Sequence, residues 1–208
     1  LPAPCEASRT AGVLTVPRDD SRYGRRMTAP TQQFTVTRTD GELAAKALMY
    51  AVSELSLIRV TGQGGAAYAQ LQVCPSGARY RSVVDGMSPR AARELTNGYH
   101  ANFHHPVLYA AALRLGAVRL AELVPMSRSL RAVLVAAPAV AATADITENI
   151  VNLYLHRDTR RITDATATVS SALSIVKWGG TVGPLAYMTV GFLPIWGRAV
   201  RDRFTRGR

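Results

Sequence analysis

Asp145, Glu148, Asn149 and Asn152 stand inside an apolar run of membrane length, and their spacing of i, i+3, i+4 and i+7 places all four on one face of a helix. The run from Ala132 to Leu155 holds 24 residues, and as a helix it extends roughly 36 Å against a hydrocarbon core of about 30 Å. Ionisable groups at such depth are costly unless they face a bundle interior, a partner charge or a wet cavity. Lys177, in the next apolar run, is the expected partner, because an unpaired ammonium or carboxylate in that setting is strongly disfavoured. Two chemistries follow. One is a proton, ion or polar-ligand site in a transporting or ligand-binding bundle. The other is interhelical hydrogen bonding that fixes how the helices pack, worth about 1 kcal/mol or less per bond. The structural or assembly role leads, since neither carboxylate has a sequence context that would make it a nucleophile or a base.

A second constellation is His100-Ala-Asn-Phe-His104-His105, which matches the H-x-x-x-H-H box of membrane di-iron desaturases and hydroxylases. Helical spacing would bring His100 and His104 together as metal ligands. Those enzymes draw on several such boxes, whereas only His156 remains beyond this cluster. No metal or other cofactor is therefore expected, and a metal-dependent membrane enzyme built on His100, His104 and His105 is kept as an alternative. Thr61-Gly-Gln-Gly-Gly65 lacks the Lys-Ser/Thr of a phosphate loop and reads as a hairpin connection. With no G-x-S-x-G elbow, Cys/His pair or zinc-spaced cysteines, nothing argues for catalysis.

The 208 residues include 25 basic and 14 acidic side chains, and only Lys46 and Lys177 are lysines. A net charge of +11 suits nucleic acid or an anionic membrane surface, so its distribution decides. Arg128 and Arg131, then Arg157, Arg160 and Arg161, then five arginines from Arg198 onward bracket the apolar runs. Flanking of this kind belongs to membrane segments. The expected partners are the lipid bilayer and a second copy or another membrane protein, and not nucleic acid. Cys5 and Cys74 are too few for a disulfide framework.

Four segments are expected along the chain. Residues 1–33 form a disordered tail; its first 26 residues contain no signal-peptide core, and Met27 would serve as a start. Residues 34–100 form a small extramembrane α/β region. In it FTVTR, SLIRV, AYAQLQV and ARYRSVV are strand candidates, and Asp40 and Ser88 cap helices. Residues 101–197 form the membrane bundle, with spans at 107–124, 132–155 and 172–196, a kink near Gly183, and a fourth span if 43–60 also crosses. Residues 198–208 form a basic tail, placed in the cytoplasm because seven arginines lie on its side and three on the other. The fold class is mainly α: a small helical membrane bundle of three or four spans with a modest N-terminal α+β extramembrane region, multi-pass in the cell membrane.

At Asp145-Ile-Thr-Glu148-Asn149 the chain resembles a group of uncharacterised bacterial multi-spanning membrane proteins. In that group a helix opens with Arg, continues through an Ala/Leu-rich run to Asp-x-x-Glu-Asn, and is followed by a helix with an early Lys. Arg131, Asp145, Glu148, Asn149 and Lys177 fit the order, and Phe103, Pro106 and Tyr109 partly reproduce an aromatic entry to an earlier helix. The resemblance covers residues 100 to 196 and implies a helical bundle in a membrane, with no activity attached.

Overall fold

Thr37 and Asp40 open the first helix: the Asp40 carboxylate accepts hydrogen bonds from the Thr37 backbone N–H at 2.7 Å and from its hydroxyl at 2.9 Å. Asp40 is thus the third residue of the helix rather than its cap. The computed structural model describes residues 35–74 and 76–206; the expected tail over 1–33 lies outside them. The described elements are α1 (Arg38–Thr61), α2 (Gly65–Leu71), α3 (Gly77–Asp85), α4 (Pro89–Ala101), α5 (His105–Leu123), α6 (Arg128–His156) and α7 (Asp164–Arg206), with 3-10 turns at Gly62–Gly64 and Thr159–Arg161. Ser76, Ser88 and Ser127 cap α3, α4 and α6 through their side-chain oxygens.

The described residues contain no β-strand, which corrects the expected α+β region. SLIRV completes α1, AYAQLQV falls largely in α2 and ARYRSVV lies in α3. Helical spacing wins because it serves burial: Ala67 with Leu71 and Tyr80 with Val83 enter one core with Leu95, Tyr99 and Leu155. A helix puts both pairs on one face, whereas a strand, with its period of two, would send Tyr80 and Val83 to opposite faces. The glycine run is a corner between helices rather than a hairpin. Gly62 has φ of 46°, and a Cβ there would lie 2.6 Å from Glu94 Oε2. A Cβ on Gly64 would lie 2.7 Å from the Leu95 backbone nitrogen.

Residues from Phe34 onward form one compact unit, and within it α1 packs along α5. The segment 34–100 therefore does not stand apart from the bundle. α5, α6 and α7 pack on one another around Leu113, Ala117, Leu134, Met188 and Phe192. α6 and α7 approach closely at Gly180, where a Cβ would lie 2.8 Å from the Ala137 carbonyl oxygen.

Among the described residues only α6 is long and apolar enough to cross a membrane by length and composition. The expected three or four spans meet that criterion once. Charges break the apolar character of α5, yet Arg119 is buried there, donating to Asp40 at 2.8 and 2.9 Å and to Glu122 at 2.9 Å. α7 runs unbroken for 43 residues through Gly183, Pro184 and Pro194, and the basic segment from Arg198 to Arg206 continues it as helix. The Gly77 N–H donates to Asp164 Oδ1 at 2.8 Å, and Arg81 donates to the Ile162 carbonyl. α3 accordingly covers the α6–α7 connection. Arg79 and Arg81 thereby join Arg157, Arg160 and Arg161 at that end.

Candidate functional site

All four residues of the α6 stripe are buried, with Glu148 and Asn149 at 0 % exposure. They face α7 and α4. Ser170, Ser174, Lys177 and Thr181 meet them from α7 at spacings of four, three and four residues, forming a second polar stripe on an otherwise apolar helix. Asn152 Oδ1 accepts from the Tyr80 hydroxyl and the Ser170 hydroxyl, both at 2.9 Å. Glu148 is held at both oxygens, by the Ser174 hydroxyl at 2.6 Å and by Lys177 Nζ at 2.5 Å. Asn102, which follows α4, bridges the rest: its amide donates to Asp145 Oδ1 at 2.9 Å and to Asn149 Oδ1 at 3.1 Å.

The expected pairing of Lys177 with the stripe is present, and its preference is unequal. The ammonium lies 3.8 Å from Asp145 Oδ1, a weaker contact than the one with Glu148, and it also donates to the Tyr68 hydroxyl at 3.2 Å. Asp145 is therefore the least committed carboxylate. It borders a cavity of about 350 Å³ that Lys177, Tyr109, Tyr50, His105 and Trp178 also line. Tyr109 is 2 % exposed, and its hydroxyl lies beside Asp145 and Thr181 without reaching a proper hydrogen bond. Glu148, Asn149 and Asn152 do not line this cavity. The single stripe seen in the sequence thus divides into an inner packing part and one residue facing open space.

Short helices close the same region. Tyr68 on α2, Tyr80 on α3 and Tyr99 on α4 are packed inward, and burial holds each phenol in its neutral form. Tyr68 is pushed up to about 12, chiefly by burial, with Lys177 opposing the rise. Tyr80 and Tyr99 are raised by the same cause.

The histidine cluster does not converge. His100 and His104 are exposed, whereas His105 is buried against α1, with Nδ1 2.8 Å from the Ser53 hydroxyl and Nε2 3.1 Å from Glu54 Oε2. The described residues hold no group of three His, Cys, Asp or Glu side chains able to share a metal ion. His105 instead belongs to the cavity wall.

Sequence reasoning missed Tyr68, Tyr80, Asn102, Tyr109, Ser170, Ser174 and Thr181. The α7 members were discoverable, because their polar spacing repeats the pattern seen on α6. Tyr80 and Asn102 carry no such signal, being 72 and 43 residues from the partners they bind. Comparison with known protein families, characterised proteins and solved structures yields no match.

Proposed function

We propose that this chain is a multi-pass protein of the cell membrane in which α1, α5, α6 and α7 cross the bilayer and enclose a binding cavity for a small polar molecule. One observation carries the reading: the polarity of the bundle is inverted. Its long helices bury Asp145, Glu148, Asn152, Ser174 and Lys177 while exposing large apolar side chains, among them Ile175 at 72 %, Val190 at 71 % and Leu48 at 65 %. α1 has no buried residue, yet Leu48, Met49, Val52, Leu55 and Ile58 stand exposed along it. Soluble monomers rarely present so extensive an apolar surface, whereas lipid tails would cover it without penalty. The charges that lower the hydropathy of these helices are partly turned inward, as Arg119 and Lys177 are.

In this reading Glu148, Asn149 and Asn152 fix the helices in register, and Asp145 and Lys177 present charge to the cavity. The resemblance to bacterial multi-spanning proteins fits the same architecture. Four crossings put the start of α1 and the end of α7 on one side and α2 to α4 with the 157–163 connection on the other.

Alkaline carbonate washing of membranes, followed by detergent solubilisation to exclude aggregates, tests insertion. Integral protein stays in the washed pellet; recovery in the supernatant would make the polar network a soluble core and end this reading. In a background with both native cysteines replaced, Cys5→Ser and Cys74→Ser, Thr181→Cys tests the cavity. A small hydrophilic thiol reagent should modify that position from water and spare Ser170→Cys, which is buried away from the cavity.

A further inference from the structure

We infer that the cavity takes a small organic cation, an amine or quaternary ammonium, with Asp145 as its counter-ion; this rests on the membrane-cavity reading above. Charge balance comes first. Asp145, Glu148 and Lys177 lie together with one ammonium for two carboxylates. Lys177 is engaged by Glu148 at 2.5 Å and by Tyr68 at 3.2 Å. Asp145 accepts a hydrogen bond from Asn102 at 2.9 Å, has the Tyr109 hydroxyl beside it, and lies 3.8 Å from the ammonium. Across the cavity, Glu54 pairs with His105 and adds no positive excess. A buried carboxylate without a full partner favours a positive ligand and repels a negative one.

The remaining wall suits the body of such a ligand. Tyr50, Tyr109 and Trp178 bring aromatic surface to the cavity, and aromatic faces attract cations most strongly where water is displaced. The local rings already do this for a cation of the protein itself: Lys177 Nζ lies 5.3 Å from the Tyr68 ring centre and 5.5 Å from that of Trp178. The Tyr109 hydroxyl, buried beside Asp145 and Thr181, offers an acceptor to an N–H donor. A bare metal ion would find no group of three His, Cys, Asp or Glu side chains able to hold it among the described residues. A volume of about 350 Å³ lies at the small end of ligand pockets.

The test uses the fluorescence of Trp178, which becomes the only tryptophan after Trp196→Phe. Detergent-purified protein is titrated with benzyltrimethylammonium, with its uncharged carbon analogue neopentylbenzene, and with benzoate. Saturable change with the ammonium alone is expected, with affinity falling about tenfold or more in Asp145→Asn. Should Asp145→Asn fail to fold, Ile58→Trp read by calorimetry serves instead, since it fills the cavity mouth and leaves Asp145 in place. Equal binding of neopentylbenzene, preference for benzoate, or no saturable change while Thr181→Cys is modified from water would overturn the cation assignment and leave the cavity standing. An unreactive Thr181→Cys would remove the cavity reading and this inference together.

Discussion

The Lys177 ammonium lies 2.5 Å from Glu148 Oε2, joining α7 to α6 through a pair in which neither side chain is more than 5 % exposed. Removing one member of such a pair leaves the other buried and uncompensated, at a cost of about 3–5 kcal/mol. We expect Lys177→Met to be the most damaging single change, because it leaves Asp145 and Glu148 facing each other without a cation. Glu148→Gln should cost less, since Asp145 remains 3.8 Å from the ammonium. A double-mutant cycle with Glu148→Leu, followed by denaturation in detergent, should show the double variant more stable than Lys177→Met. Wild-type stability of Lys177→Met would show that the pair is solvated.

Tyr80 and Tyr99 occupy the same core and should respond oppositely to loss of the hydroxyl. The Tyr80 hydroxyl donates to Asn152 Oδ1 at 2.9 Å, while that of Tyr99 has no hydrogen-bond partner. Tyr80→Phe should destabilise by about 1 kcal/mol. Tyr99→Phe should be neutral or stabilising, since it removes a polar group that burial penalises. Melting temperatures in one detergent compare them directly, and a larger loss for Tyr99→Phe would contradict the arrangement.

The contrast between these two tyrosines shows what the sequence could carry. The α6 stripe and its link to Lys177 were readable because helical periodicity and the cost of buried charge act locally. The strand assignments failed where β-branched residues such as Val83 and Val84 looked extended but served a helical core through Tyr80 and Val83. Among the described residues only α6 meets the length and apolarity criterion, because charges such as Arg119 and Lys177 lower the hydropathy of α5 and α7 although both are buried. Division of the stripe into packing residues and a cavity residue depends on Asn102 and Tyr80, which arrive from distant elements. No local rule reports that.

Alkaline pH should weaken the short-helix layer. Tyr68, Tyr80 and Tyr99 ionise later in the folded chain than in the unfolded one, because burial disfavours the phenolate. A pKa raised on folding gives stability that is complete below the unfolded value, near 10 for tyrosine, and that is lost as pH climbs toward the folded value. With Tyr68 at about 12, the loss should develop between about pH 10 and about pH 12. Melting temperatures across that window should fall, and fall less steeply in Tyr99→Phe. A flat profile to about pH 12 would show that water reaches these phenols in the folded state.

Gly180 and its neighbours give the sharpest test of how α6 and α7 cross. A Cβ on Gly180 would meet the Ala137 carbonyl oxygen at 2.8 Å and the Ala141 Cβ at 2.9 Å, both on α6. Backbone cannot swing aside as a flexible side-chain end can, so the helices must separate. Separation would also lengthen the Lys177 to Glu148 contact, one turn away. We expect Gly180→Val to cost about 1–3 kcal/mol from overpacking alone. Gly179 and Gly183 have nothing within 4 Å of a Cβ, and in helical backbone their replacement by Ala should be neutral or stabilise by about 0.5–1 kcal/mol. Stability of the three variants in detergent separates a close α6–α7 contact from general intolerance of substitution. Equal tolerance at all three positions would mean that the helices cross elsewhere.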